Sequence, residues 1–196
     1  MQFSFPLHRA VPACAFLLLL PVLPAFAQGP FAQSKAGKTN SLAPYVSSPQ
    51  QIVDKMLEAV ELKPGETLYD LGSGDGRVLI TAVQKFNAKA VGVELDEKLA
   101  KSTSEKIEKL GLGNRARVIH GNMLEVDISP ADVVVIYLTT ESNDIVRPAL
   151  EKQLRPGTRV ISHDFQVRGW KPVKVESAQV HNRSHQIYIY QIAKKK

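Results

Sequence analysis

Cysteine is nearly absent: Cys14 is the one thiol in 196 residues. A chain with a single cysteine closes no internal disulfide and builds no multi-thiolate metal site. Cys14 also lies in an N-terminal leader, so its removal with that leader would exclude a cysteine nucleophile too. Long unbroken apolar runs are missing as well. The N-terminal apolar stretch ends at Leu23 and is interrupted by Pro12 and Pro21, with Pro24 directly after it. It is too short and too broken for a permanent membrane span. No internal repeat is present. What remains is ordinary for a globular protein, with 44% hydrophobic and 22% charged residues. The length fits one domain with short extensions, and such a domain buries a full core without disulfides or metal. The net charge is +6, and the terminal "KKK" (Lys194–Lys196) supplies half of it. A basic tail is either simply solvated or drawn to an anionic membrane surface or acidic partner.

The leader carries Arg9, then the apolar stretch, then Ala25-Phe26-Ala27, an A-x-A cleavage pattern that sets the cut before Gln28. Residues 1–27 therefore read as a signal peptide, with an uncleaved anchor as the alternative. The corresponding locations are the periplasm or exterior for a cleaved leader, and the cytosolic face of the membrane for an anchor. "QGPFAQSKAGKTNSLAP" (28–44) is rich in Gly, Ser, Pro and polar residues and reads as a linker. The globular domain is expected over 45–196.

"SSPQQIVDKMLEAV" predicts a helix, with Ser47 or Ser48 as cap, Pro49 in the first turn and a stripe of Ile52, Val53, Met56, Leu57 and Val60. From there strands and helices alternate. The strand candidates are "TLYDL", "AKAVGVEL", "ARVIHG", "ADVVVIYL" and "RVISHDF"; between them lie "GRVLITAVQKF", "EKLAKSTSEKIEKLGL" and "NDIVRPALEKQL", the last with Pro148 expected in its first turns. Near-continuous Val/Ile strands separated by helices predict a parallel sheet covered on both faces. "KPVKVESAQV" and "HQIYIYQI" predict a final strand pair. The fold class is thus α/β: a doubly wound, Rossmann-like sheet, mostly parallel, with an antiparallel C-terminal hairpin.

Within this frame, "YDLGSGDGR" (69–77) is a glycine-rich turn between a strand and a helix. Arg77 stands where both the phosphate-loop and the dinucleotide patterns need glycine, so both fail. What stands is D-x-G-x-G-x-G: Asp70, Gly72, Gly74 and Gly76, with Ser73 inside the turn. A carboxylate aimed at the turn repels a pyrophosphate and attracts a cation. S-adenosylmethionine has an ammonium, a sulfonium and no phosphate. The glycines allow close approach of a ligand, and the helix starting near Gly76 offers a partial positive end for the ligand's carboxylate. An acidic residue ending the second strand is expected to hold ribose hydroxyls; Glu94 in "VGVELD" stands there. The third strand ends in "VIHGNM", which offers Asn122 beside an adenine and Met123 as its apolar cover.

With these residues in hand, the chain from Tyr45 to Ile192 resembles class I S-adenosylmethionine-dependent methyltransferases. Its stretches "YVSSPQQIVDKML", "YDLGSGDGR", "VGVELD" and "LRPGTRVISHDF" resemble small bacterial relatives of the mitochondrial protein-lysine methyltransferases that act on ATP synthase subunit c and the adenine nucleotide carrier. Asn122 departs from the aspartate more common in that family; an amide still contacts adenine. The resemblance implies S-adenosyl-L-methionine as cofactor, a protein lysine as methyl acceptor, and Tyr45 closing over the cofactor or packing ahead of the first helix. A small-molecule or lipid acceptor is the rival, and a non-catalytic cofactor-binding module the non-enzyme alternative.

The acceptor is expected over the carboxyl ends of the fourth and fifth strands, at "YLTTESN" and "SHDF". Tyr137 either lines the methyl channel or packs at the strand end. Asn143 either orients the acceptor or caps the next helix, with the cap favoured. His163 and Asp164 are candidates to receive or steer a proton; His181 and His185 are given no role. "YLTT" lacks the [DNS]-P-P-[YFW] pattern of amino-methylating nucleic-acid enzymes, so no nucleic-acid partner is expected. Metal-dependent O-methyltransferases have an Asp where Tyr137 or Leu138 stands here, and no metal is expected. Membrane proximity follows from the leader, and a monomer is expected.

Overall fold

A computed structural model describes Leu42 and residues 45–194. The leader, its cleavage point, Cys14 and all of the linker except Leu42 lie outside the described residues. Leu42 itself belongs to the folded part: its carbonyl accepts from the Ser142 hydroxyl and its side chain packs on the core. The domain therefore reaches back past Tyr45.

The chain runs α1 (Gln50–Ala59), β1 (Thr67–Leu71), α2 (Arg77–Phe86), β2 (Lys89–Glu94), α3 (Glu97–Lys109), β3 (Ala116–His120), β4 (Val133–Ile136), α4 (Thr140–Gln153), β5 (Arg159–His163), β6 (Lys174–Val180) and β7 (Arg183–Gln191). The strands form one seven-stranded sheet in the order β3-β2-β1-β4-β5-β7-β6. The first five named are parallel, and β7 returns antiparallel between β5 and β6. This is the architecture the strand pattern predicts. The hairpin turns on His181 and Asn182, both at positive φ (48° and 60°), a pairing that matches the twist of the flanking strands.

Alternation along each strand feeds two cores. Leu68, Ala90, Val133, Val135 and Ile161 face the stripe of α1 together with Leu79 and Ala82 of α2 and Ile107 of α3. Tyr69, Val91, Val134, Ile136 and Val160 face Val146 and Leu150 of α4 and the 126–131 connection. All five stripe residues of α1 are buried. Gly92 in mid-β2 marks a tight layer contact. A Cβ there would lie 2.5 Å from Ser73 Oγ and 2.7 Å from Leu79, so only glycine lets α2 and the turn before it rest on the sheet.

Two capping expectations are corrected. Pro49 is the N-cap of α1 and no side chain caps it; Ser48 is buried and turned elsewhere. Helix α4 starts earlier than predicted and is capped by Thr139, whose Oγ1 accepts from Ser142 N–H at 3.2 Å. Pro148 therefore lies two turns inside α4, not near its start.

Candidate active site

Strand order reverses beside β1, whose neighbours β2 and β4 lead away in opposite directions, and a crevice opens at the carboxyl ends of β1 and β4. It is lined by Tyr45, Ser48, Asp70, Gly72, Ser73, Gly74, Asp75, Arg77 and Tyr137, among others. A larger cleft of about 730 Å³ lies at the opposite end of the strands. Two ion pairs lie in it, Arg159 with Glu66 at 2.6 Å and Arg155 with Asp132 at 3.0 Å.

Asp70 is buried at the end of β1. Burial, with Glu94 and Asp75 nearby, pushes its carboxyl up to about 7. Such a group holds its charge readily only when a cation arrives. Gly72, Gly74 and Gly76 all have positive φ. At Gly74 the need is strict, since a Cβ would stand 2.5 Å from the Tyr45 ring. Tyr45, which is 56% exposed, thus lies directly over the turn. Glu94 braces the same turn: one carboxylate oxygen accepts from Gly74 N–H at 2.8 Å and the other from Asp96 N–H at 2.9 Å. Each oxygen keeps a lone pair for a hydroxyl ligand. Thr103 of α3 donates to Gly74 carbonyl at 2.7 Å.

Three expected positions differ in role. Gly76 caps α2 and packs against Thr103, away from the crevice lining. At the amino end of α2, Asp75 accepts from Arg77 N–H at 3.2 Å. Asn122 bonds locally, accepting from Leu124 N–H at 3.1 Å and donating to Glu125 at 3.2 Å. Met123 reaches the far side of Gly72, its methyl 3.8 Å from where a Cβ would be. Neither Asn122 nor Met123 is among the residues that line the crevice under Tyr45.

Arg77, met in the sequence only as the residue that breaks two glycine patterns, and Ser48, met only as a cap candidate, have a joining role that the sequence did not indicate. The Arg77 guanidinium grips Asp75 at 2.5 Å and the Ser48 carbonyl at 2.6 Å, fastening the segment before α1 to the glycine turn. The only sequence signal is the DGR triplet itself.

On the acceptor side, Tyr137 lines the crevice, and its hydroxyl donates to Asp164 Oδ2 at 3.4 Å. Burial first, then Asp164, raises the Tyr137 phenol above its usual value, so it stays protonated. His163 is fully buried beneath it, ring centroids 4.0 Å apart, and burial drives its imidazole down to about 4. A ring closed off in this way supports Tyr137 and does not meet an acceptor. Asn143 is neither a cap nor exposed to a ligand. Its amide donates to Ser162 Oγ, Phe165 carbonyl and Gln166 carbonyl at 3.2–3.3 Å, tying α4 to the loop after β5. His185, given no role from the sequence, joins His163 and Asp164: His163 Nε2 to His185 Nδ1 is 2.9 Å, and His185 Nδ1 to Asp164 Oδ2 is 3.2 Å.

Residues 70–174 match the ANTKMT methyltransferase domain. The chain belongs to this family. The methyltransferase is 46% identical over 154 residues to a protein-lysine N-methyltransferase of Saccharolobus islandicus, covering 78% of this chain and 96% of that protein. It is 28% identical to the adenine nucleotide translocase lysine N-methyltransferase of Mus musculus over 67% of this chain and 57% of the mouse protein. A solved RNA methyltransferase of Salinibacter ruber, in complex with S-adenosyl-L-homocysteine, superposes with a TM-score of 0.71 at 36% identity, covering 77% of this chain and 96% of that one.

Proposed function

We propose that this methyltransferase uses S-adenosylmethionine to methylate lysine side chains on protein. The observation that carries the reading is the buried Asp70 carboxylate facing the crevice under Gly72 and Gly74, a site that asks for a cation and has no place for a pyrophosphate. Likeness over nearly the whole length of a protein-lysine N-methyltransferase supports the acceptor class.

The cofactor supplies a methyl group on a sulfonium, ready for in-line displacement. Asp70 would hold the ammonium, Glu94 the ribose hydroxyls, and Tyr45 would cover the ligand from the solvent side. Asn122 and Met123, just past β3, would contact the adenine. Tyr137 borders the path of the acceptor amine and offers it a polar partner, while Asp164 fixes the hydroxyl and His163 the ring; these two are positioning residues. A lysine amine with a reference pKa of about 10.4 must shed its proton before it attacks, and leaving water for this crevice lowers that value.

The test is to incubate the full chain with cell lysate and S-adenosylmethionine labelled on the methyl group. Label in discrete protein bands, recovered after acid hydrolysis as methyl-lysine, is the expected outcome. The Salinibacter neighbour favours a second reading, an RNA acceptor. Label sensitive to ribonuclease would establish that reading, and label confined to the organic or low-mass fraction would establish a lipid or small-molecule acceptor. The leader supports export, with anchoring at the cytosolic face of the membrane as the alternative. Fractionation separates a shortened periplasmic chain from a full-length membrane-bound one.

A further inference from the structure

Beside Tyr137, three ligand-type atoms converge: His163 Nε2, His185 Nδ1 and Asp164 Oδ2, separated by 2.9, 3.2 and 3.5 Å. Zinc bonds of about 2.0–2.2 Å at tetrahedral angles set neighbouring ligand atoms roughly 3.3 Å apart. We propose that His163, His185 and Asp164 form a binding site for a divalent ion of the zinc class, pinning the end of β5 to the start of β7 next to the acceptor path.

The surroundings are those of a built ligand set. Ser48 Oγ lies 2.8 Å from His163 Nδ1. With the ring proton there, Nε2 presents its lone pair to the other two atoms, the arrangement in which an outer partner fixes a metal-binding imidazole. Asp164 is aimed by its backbone. It sits at φ 61°, in the left-handed region, and its Oδ1 accepts from Gln186 N–H at 2.9 Å, which leaves Oδ2 toward the imidazoles. Two neutral imidazoles and one carboxylate suit zinc, and a set of three protein ligands leaves the fourth tetrahedral position to water or another small ligand. One cation already contests the site: Arg183 reaches Asp164 Oδ2 at 2.8 Å from an exposed side chain, and it must swing outward as the ion enters. The metal-free expectation drawn from the sequence rested on cysteine and on strand-end residues, and left His185 out.

A hydrogen-bonded cluster without metal would satisfy the same distances, so the experiment separates the two. The full chain is stripped with chelator, then titrated with Zn2+ against a chromophoric competitor, and separately with Co2+ while visible absorption is followed. The expected result is one equivalent bound, with the intense bands of a low-coordinate cobalt site. His185→Gln and Asp164→Asn should weaken zinc binding at least about 10-fold, while Arg183→Gln tightens it, since a competing charge is gone. S-adenosylmethionine binding by each variant checks that it is folded. The proposal is overturned if the wild type binds Zn2+ no more tightly than folded His185→Gln, or if Co2+ gives only the weak spectrum of the hydrated ion.

Discussion

Asp70 carries the strongest chemical statement of any single residue in this molecule. Its carboxyl is pushed up to about 7 by burial and by Glu94 and Asp75. The sign of the resulting pH dependence follows directly. A cationic ligand needs the ionised form, so affinity for S-adenosylmethionine should be full above about pH 7 and fall as pH drops through it. For the ligand-free chain the effect runs the other way. The unfolded carboxyl ionises at its ordinary lower value, so this residue's contribution to stability declines as pH rises from the carboxylate range to about 7 and is level beyond. Calorimetric titrations between pH 5.5 and 8.5, values chosen to straddle about 7, read the first effect; Asp70→Asn should abolish the pH dependence and weaken binding about 10- to 100-fold. Gly74→Ala drives a methyl into the Tyr45 ring at a positive φ. It should weaken cofactor binding about 10-fold through the displaced Tyr45 ring and a backbone strain of about 1 kcal/mol, and Tyr45→Ala alone should weaken binding as well by uncovering the ligand. A fluorescence titration of the pair reads both.

At the level of elements, α4 depends on one buried amide. Asn143 donates to Ser162 and to two carbonyls of the loop after β5. Asn143→Ala should cost about 1–3 kcal/mol, because it strands buried acceptors, and urea denaturation would show it as a lowered midpoint at unchanged slope. The sequence made some of this legible and not the rest, for physical reasons. The stripe of α1, the parallel strands and the glycine turn are contiguous patterns whose periodicity survives without coordinates. The α4 cap is not legible in this way: "YLTTESN" offers several side chains able to cap, and only the backbone geometry selects Thr139. The histidine cluster was hidden more deeply. Ser48 and His163 are 115 positions apart, and His163 and His185 are 22 apart. No local spacing announces that β7 returns between β5 and β6 and brings them together. Asn122 and Gly76 were correctly placed at element ends, but their contacts turn out to be local or structural.

For the molecule as a whole, the sheet's reversal beside β1 opens the crevice at the carboxyl ends of β1 and β4, while at the opposite end of the strands Arg155 pairs with Asp132 and Arg159 with Glu66. Among the described residues no helix is long and apolar enough to cross a membrane. The crevice is bordered on one side by the exposed Tyr45 and Val46. This suits an acceptor presented on a larger surface better than one that must be enclosed. The claim on which everything else depends is the identity of the ligand at Asp70. Isothermal titration of the purified full chain with S-adenosylmethionine, with NAD as control, tests it most directly. Saturable binding of S-adenosylmethionine at one site per chain, lost in Asp70→Ala and Glu94→Ala, is the predicted result. Binding of NAD instead, or binding of S-adenosylmethionine unchanged in both variants, would contradict the account.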